Sequence, residues 1–149
     1  MYNEIDNLQL RNLYLDRITQ KERSKIMSKV RGKNTLPELI VRKLIFSLGY
    51  RYRLHYKNLS GKPDLVFLGR KKVIFVHGCF WHMHDCKRGA PPESNKFFWL
   101  PKLQQNKIRD TGNIHALEQA GWKVLVIWQC ELKKQELRAA IKTFLNSKD

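Results

Sequence analysis

The chain has 149 residues, a length that suits one domain; 42% are hydrophobic and 28% charged, the balance of an ordinary soluble globular protein, and no apolar run reaches the ~18 residues a membrane span needs. Lysine and arginine number 29 against 13 acidic residues, a formal charge of +16 that suits a polyanionic partner such as nucleic acid. The three cysteines, Cys79, Cys86 and Cys130, argue against a disulfide framework, and the start has no leader-peptide pattern, so the expected compartment is the cytosol, with reduced thiols.

Residues 1–18 read as a loosely held N-terminal extension and 19–149 as a single domain. Thr19-x-x-Glu22 matches a capping box and, with Ile26 and Val30 four apart, predicts a helix that Gly32 stops. A second such pattern, Thr35-Leu36-Pro37-Glu38, opens a stronger helix whose stripe of Leu39, Val41, Leu44, Ile45 and Leu48 ends at Gly49. From Tyr50 to Tyr56, aromatic or apolar residues alternate with basic ones, which predicts a half-buried strand. Turn-prone residues 58–63 lead into a short apolar strand over 64–68, and Gly69-Arg70-Lys71 turns the chain into another over 73–76. Residues 77–95 are irregular. Helix resumes around Phe97–Trp99 and, after Pro101, runs to about Ala120, with Gly121 as its stop. The continuous apolar run from Trp122 to Trp128 predicts a strand buried on both faces, with Trp122 and Trp128 as core residues, and 133–146 form an amphipathic helix. The order ααβββαβα implies an α/β (α+β-like) fold with a mixed sheet flanked by helices.

Cys79, His84 and Cys86 form C-x4-H-x-C in the irregular segment, and Cys130 follows the last strand. Three thiols and one imidazole make a closed tetrahedral zinc set, which holds structure and leaves no position open for catalysis. The plainer alternative is a core Cys130 beside incidental loop residues; the density of the loop motif favours zinc. Pro63-Asp64 stands at the mouth of an apolar strand, where nucleases place an aspartate to hold Mg2+, although an aspartate there can also be only a turn former. Glu38 is a second candidate carboxylate and also the third helical residue of a capping box, reaching back to the Thr35 backbone. His77 and His82 flank the start of the cysteine loop, and histidine is the side chain best suited to moving a proton at neutral pH. Phe80-Trp81 lies between metal ligands, where an apolar pair has little room to join the core, and with Trp99 it suits stacking on bases or wedging between base steps.

The run Phe75-Val76-His77-Gly78-Cys79-Phe80-Trp81-His82-Met83-His84-Asp85-Cys86 is long and specific. With Gly61-Lys62-Pro63-Asp64, Phe98-Trp99-Leu100 and the stretch from Trp122 to Cys130, it resembles the very-short-patch mismatch repair endonucleases (Vsr), a restriction-endonuclease-like family of the PD-(D/E)XK superfamily. The resemblance spans about residues 19 to 145. It implies a bacterial, cytoplasmic, nucleoid-associated enzyme that nicks one strand 5′ of the thymine in a T:G mismatch, in very short patch repair. It implies Asp64 as the Mg2+ ligand, joined by the backbone carbonyl of Val76, with His82 activating water and Glu38 and His77 assisting. It makes Cys79, His84, Cys86 and Cys130 the zinc ligands. It places Phe80, Trp81 and Trp99 beside the mismatch from the major groove and Met27 from the other side, with Lys102 and Asn106 contacting the mismatch. The implied partners are duplex DNA with a T:G pair, mismatch-repair proteins such as MutL, and, through function, a cytosine-5 DNA methyltransferase; no membrane is implied. The chain departs from the wider superfamily in having Phe75 and His77 where the (D/E)-x-K half of its motif falls. Two other readings compete: a restriction-type or structure-specific nuclease on the same fold, and a non-catalytic zinc-stapled DNA-binding protein.

Overall fold

The computed structural model describes residues 19–30 and 32–148. The expected N-terminal extension, 1–18, lies outside the described residues. Among the described residues, four α-helices flank a small three-stranded mixed sheet in the order α1 (Gln20–Ser28), α2 (Leu36–Ser47), β1 (Leu65–Phe67), β2 (Lys72–His77), α3 (Lys96–Gln119), β3 (Lys123–Trp128) and α4 (Glu136–Asn146). Short 3-10 turns follow β1 and β3. Strand order is β1-β2-β3, with β1 antiparallel and β3 parallel to the central β2. Both predicted capping threonines act as N-caps: Thr19 closes a full capping box with Glu22, and Thr35 accepts from the Glu38 N–H. The Glu38 carboxylate does not reach back to the Thr35 backbone as expected; it accepts from the Thr35 hydroxyl and the Asn34 N–H instead.

Alternation along the strands divides the core in two. Leu65, Phe67, Ile74, Val76 and Ile127 face α2 and α4, whereas Val66, Val73 and Phe75 face Leu117 of α3. Every residue of β2 is buried, including Lys72, which is 2% exposed. Its ammonium group donates to the carbonyls of Leu145 (3.3 Å) and Ser147 (2.5 Å), so a cation ends α4 where the helix dipole favours one.

Three expectations need correction. Tyr50–Tyr56 is not a strand: it meets the sheet at one bridge, Arg53 with Val66, and His55 at φ 54° breaks the extended run. The observed order is therefore ααββαβα. The last strand is not buried on both faces, because β3 is an edge; only Ile127 among its residues is buried, and Trp122 and Trp128 are half-buried. Helix α3 runs through Pro101, its sixth residue, without a break; so close to the helix start, the missing N–H forfeits a single helical bond.

No helix among the described residues is long and apolar enough to cross a membrane.

Candidate active site

Sheet polarity assembles the site. Since β1 is antiparallel to β2 and β3 parallel to it, the start of β1 and the ends of β2 and β3 share one edge of the sheet. Asp64 precedes β1, His77 ends β2, and Trp128 ends β3 in register with His77. The helix N-terminus bearing Glu38 and the middle of α3 border the same edge, and the space between them is an open cleft of about 1370 Å³. Eight sequence-predicted residues line it: Met27, Glu38, Asp64, Val76, His77, Trp81, His82 and Asn106.

Asp64 is held by the Val76 N–H, which donates to its carboxylate at 2.7 Å. Burial pushes its pKa up to about 6, the Val76 hydrogen bond and Arg42 oppose the rise, and Glu38 adds to it. A carboxylate so desolvated, with a second carboxylate nearby, suits a bound cation. Glu38 is 5% exposed and ion-paired at 2.9 Å with Arg42, which also donates to Asn34 at 2.6 Å. Asn34, just before the helix, is thereby tied to α2.

The rings of His77 and His82 lie parallel, 3.8 Å apart at 2°. Burial, then the neighbouring His82, lowers His77 to about 4, so it is neutral at physiological pH. His82 Nδ1 makes a close hydrogen bond with the carboxylate of Asp110. Toward a carboxylate Nδ1 is the donor, so in the neutral ring it is Nε2 that carries the lone pair. Asp110 was missed by sequence reasoning. Its signal was present: Lys102, Asn106 and Asp110 recur every fourth residue, a single face of α3. Basic residues Lys33, Lys57, Lys62 and Arg109 also line the cleft and were not singled out.

Cys79, His84, Cys86 and Cys130 bring their ligand atoms within 4.8 Å of one another, with Cys130 Sγ 3.5 Å from His84 Nδ1. Tight turns build the loop: His84 N–H bonds to the Cys79 carbonyl and Cys86 N–H to that of His84. Gly89 completes it, since a Cβ there would stand 1.9 Å from the His84 carbonyl oxygen. His84 lowers the Cys86 thiol to about 7, whereas burial and the adjacent Cys79 push Cys130 up to about 11. Crowded thiols of this kind cannot all ionise without a cation among them, and the donor set fits a tetrahedral ion with soft ligands.

Of the predicted DNA-facing rings, Phe80 and Trp81 are half-buried, but Trp99 is only 6% exposed. The three meet edge to face, with centroids 5.0 to 6.0 Å apart. The Lys102 ammonium lies 5.8 Å from the Trp99 ring, and Asn106 donates to the Trp81 carbonyl at 3.2 Å. Neither Phe80, Trp99 nor Lys102 lines the cleft itself; they form its aromatic and basic shoulder.

A mixed sheet with a desolvated carboxylate and an oriented histidine at one edge, in a strongly basic chain, is the equipment of an enzyme that hydrolyses nucleic acid. The sequence profile described as DNA mismatch endonuclease Vsr matches residues 15–88. The chain is 51% identical over 117 residues to the type II nicking enzyme V.XorIIP of Xanthomonas oryzae pv. oryzae, covering 78% of this chain and 86% of that one. It is 47% identical over 122 residues to the type II nicking enzyme V.NmeAIP of Neisseria meningitidis serogroup A (82% and 87%). It is 38% identical over 114 residues to the DNA mismatch endonuclease Vsr of Escherichia coli K12 (76% and 73%). The chain belongs to the Vsr family and is a DNA endonuclease, a hydrolase of the mismatch-repair type.

Proposed function

We propose that this endonuclease nicks one strand of duplex DNA 5′ of the thymine in a T:G mismatch, by Mg2+-dependent hydrolysis, in very short patch repair. The observation that carries the reading is that an oriented His82 and a desolvated Asp64 face one basic cleft. Asp64 and the backbone carbonyl of Val76 would hold Mg2+. Bound there, the ion supplies charge neutralisation at the scissile phosphate and lowers the pKa of water. His82, its Nδ1 proton held by Asp110, takes the proton of the attacking water at Nε2. Neutral His77 keeps the His82 ring in its plane by stacking, and Glu38, fixed by Arg42, holds the turn beside Asp64. Zinc on Cys79, His84, Cys86 and Cys130 would be structural, since four protein donors leave no open position.

Phe80 and Trp81 form the leading edge of a wedge from the major groove, with Trp99 behind them and Met27 opposite. Lys102 and Asn106 reach the mismatched pair from α3. A T:G pair arises when a methylated cytosine deaminates, which links the enzyme functionally to a cytosine-5 DNA methyltransferase and to mismatch-repair proteins such as MutL in a bacterial cytoplasm. The test is single-turnover nicking of a T:G duplex by the wild type and by Asp64→Ala, with and without Mg2+. Cleavage only by the wild type with Mg2+ is expected, at similar DNA affinity; cleavage by Asp64→Ala would remove Asp64 from the mechanism.

A further inference from the structure

Two ligand-rich clusters, His77/His82/Asp110 and Cys79/His84/Cys86/Cys130, share one aromatic neighbour, Trp128. Trp128 ends β3 in parallel register with His77, so both side chains leave the sheet on the α3 face at the same edge. Its indole is stacked on the His84 imidazole, with centroids 4.2 Å apart and planes at 19°. The same indole meets His77 edge to face, at 5.3 Å and 73°, and His82 at 6.4 Å and 71°. Its backbone is fixed twice: β2 pairs along it, and its N–H donates to the Glu131 carboxylate at 3.0 Å.

We propose that Trp128 is a positioning residue: a shared wall that sets the plane of the His77–His82 pair while resting on His84 of the cysteine cluster. The inference rests on the reading of His82 as the proton acceptor and of the cysteine cluster as a metal centre. It goes further in making the two centres one mechanical unit.

The geometry explains why an indole stands here. His77 and His82 lie parallel, and a parallel pair has no directional bond to stop it sliding or splaying. Asp110 fixes the Nδ1 end of His82, and Phe75 meets the His77 ring at 5.5 Å and 47°. The β3 side of both imidazoles is closed by Trp128. A bicyclic ring offers a broad face to His84 while still meeting the two histidines; a phenyl ring offers less area on both sides, and an aliphatic chain offers no aromatic contact at all. Loss of the wall leaves the ligands and catalytic groups in place chemically but frees the angle at which His82 meets water. A misplacement of about 1 Å at such a group costs roughly 100-fold in rate.

The test compares Trp128→Leu and Trp128→Phe with the wild type, all as full-length zinc-loaded protein. Single-turnover nicking of a T:G duplex, DNA affinity, bound zinc and thermal unfolding are measured together. Each protein is also reconstituted with Co2+ in place of zinc, and its visible absorption recorded. The expected result is that Trp128→Leu nicks roughly 100-fold more slowly, with DNA affinity within about threefold and one metal retained per chain. Trp128→Phe is expected to recover most of that rate. The Co2+ absorption should shift in Trp128→Leu, since His84 loses its stacked partner, and shift less in Trp128→Phe. Nicking by Trp128→Leu within about twofold of wild type overturns the proposal. So does loss of bound metal or of the unfolding transition in step with the rate, since the indole would then be only a packing residue. Failure of the wild type itself to nick the T:G duplex would refute the proposed T:G nicking, a result distinct from either, and the Co2+ spectra would still decide whether Trp128 governs His84.

Discussion

Asp110 does for His82 what no neighbour in sequence could do: from 28 residues away it selects the tautomer. Substituting Asp110→Asn keeps the shape but offers His82 a donor as readily as an acceptor, so the productive tautomer is no longer enforced. Nicking is expected to fall by about 100-fold or more at unchanged DNA affinity, as measured by single-turnover kinetics; a change within twofold would leave Asp110 with a packing role only. Asp64 carries the opposite tension, between function and stability. Its acid form is favoured in the folded chain, with the pKa raised from 3.8 to about 6, so the wild type loses stability relative to a neutral isostere as pH climbs from about 4 to 6. At 1.36 kcal/mol per unit the rise corresponds to about 3 kcal/mol, an upper bound for a site that relaxes. In Mg2+-free buffer Asp64→Asn is therefore expected to melt higher than wild type at pH 7.5, with a smaller advantage at pH 5. An equal or lower melting temperature at pH 7.5 would show that burial does not strain this carboxylate.

At the scale of elements, the cysteine loop shows what a sequence discloses well and what it hides. Three of its four candidate ligands fall within eight residues, so local spacing alone exposes Cys79, His84 and Cys86, and Cys130 follows because it is the remaining cysteine. Gly89 carries no such mark, since its importance lies in a backbone crossing that only the folded loop contains. Gly89→Ala cannot fit a Cβ beside the His84 carbonyl without moving it. That variant is expected to lose most of its bound zinc under mild chelation, measured as metal per chain, whereas full retention would mean that the loop adjusts freely. Helices α1 and α2 were legible because their caps are local chemistry, Thr19 with Glu22 and Thr35 with Glu38. Tyr50–Tyr56 was misread because alternation records which side of the chain meets apolar neighbours, and a segment crossing the sheet at one bridge alternates as a strand does. The edge position of β3 was equally hidden: an apolar run gives strand identity but not its place in the strand order.

For the whole molecule, the charge of +16 and the three-layer arrangement act together. Helices α2 and α4 bury one face of the sheet and α3 the other, so one sheet edge is left to gather Asp64, the histidines and the basic side chains of the cleft. A long-range field of this sign draws DNA of any sequence, and affinity conferred by phosphate contacts falls steeply with salt. In the proposed function, selectivity is assigned to the aromatic shoulder of Phe80, Trp81 and Trp99 and to the α3 face bearing Lys102 and Asn106. The measurement that tests the account most directly is nicking, with Mg2+ present, of end-labelled duplexes that differ at a single pair, T:G against T:A, placed in several flanking sequences. A single nick 5′ of the mismatched thymine, absent from the fully paired duplex, is the predicted result. Equal cleavage of both duplexes would contradict the mismatch reading and leave a general or restriction-type nuclease on the same fold.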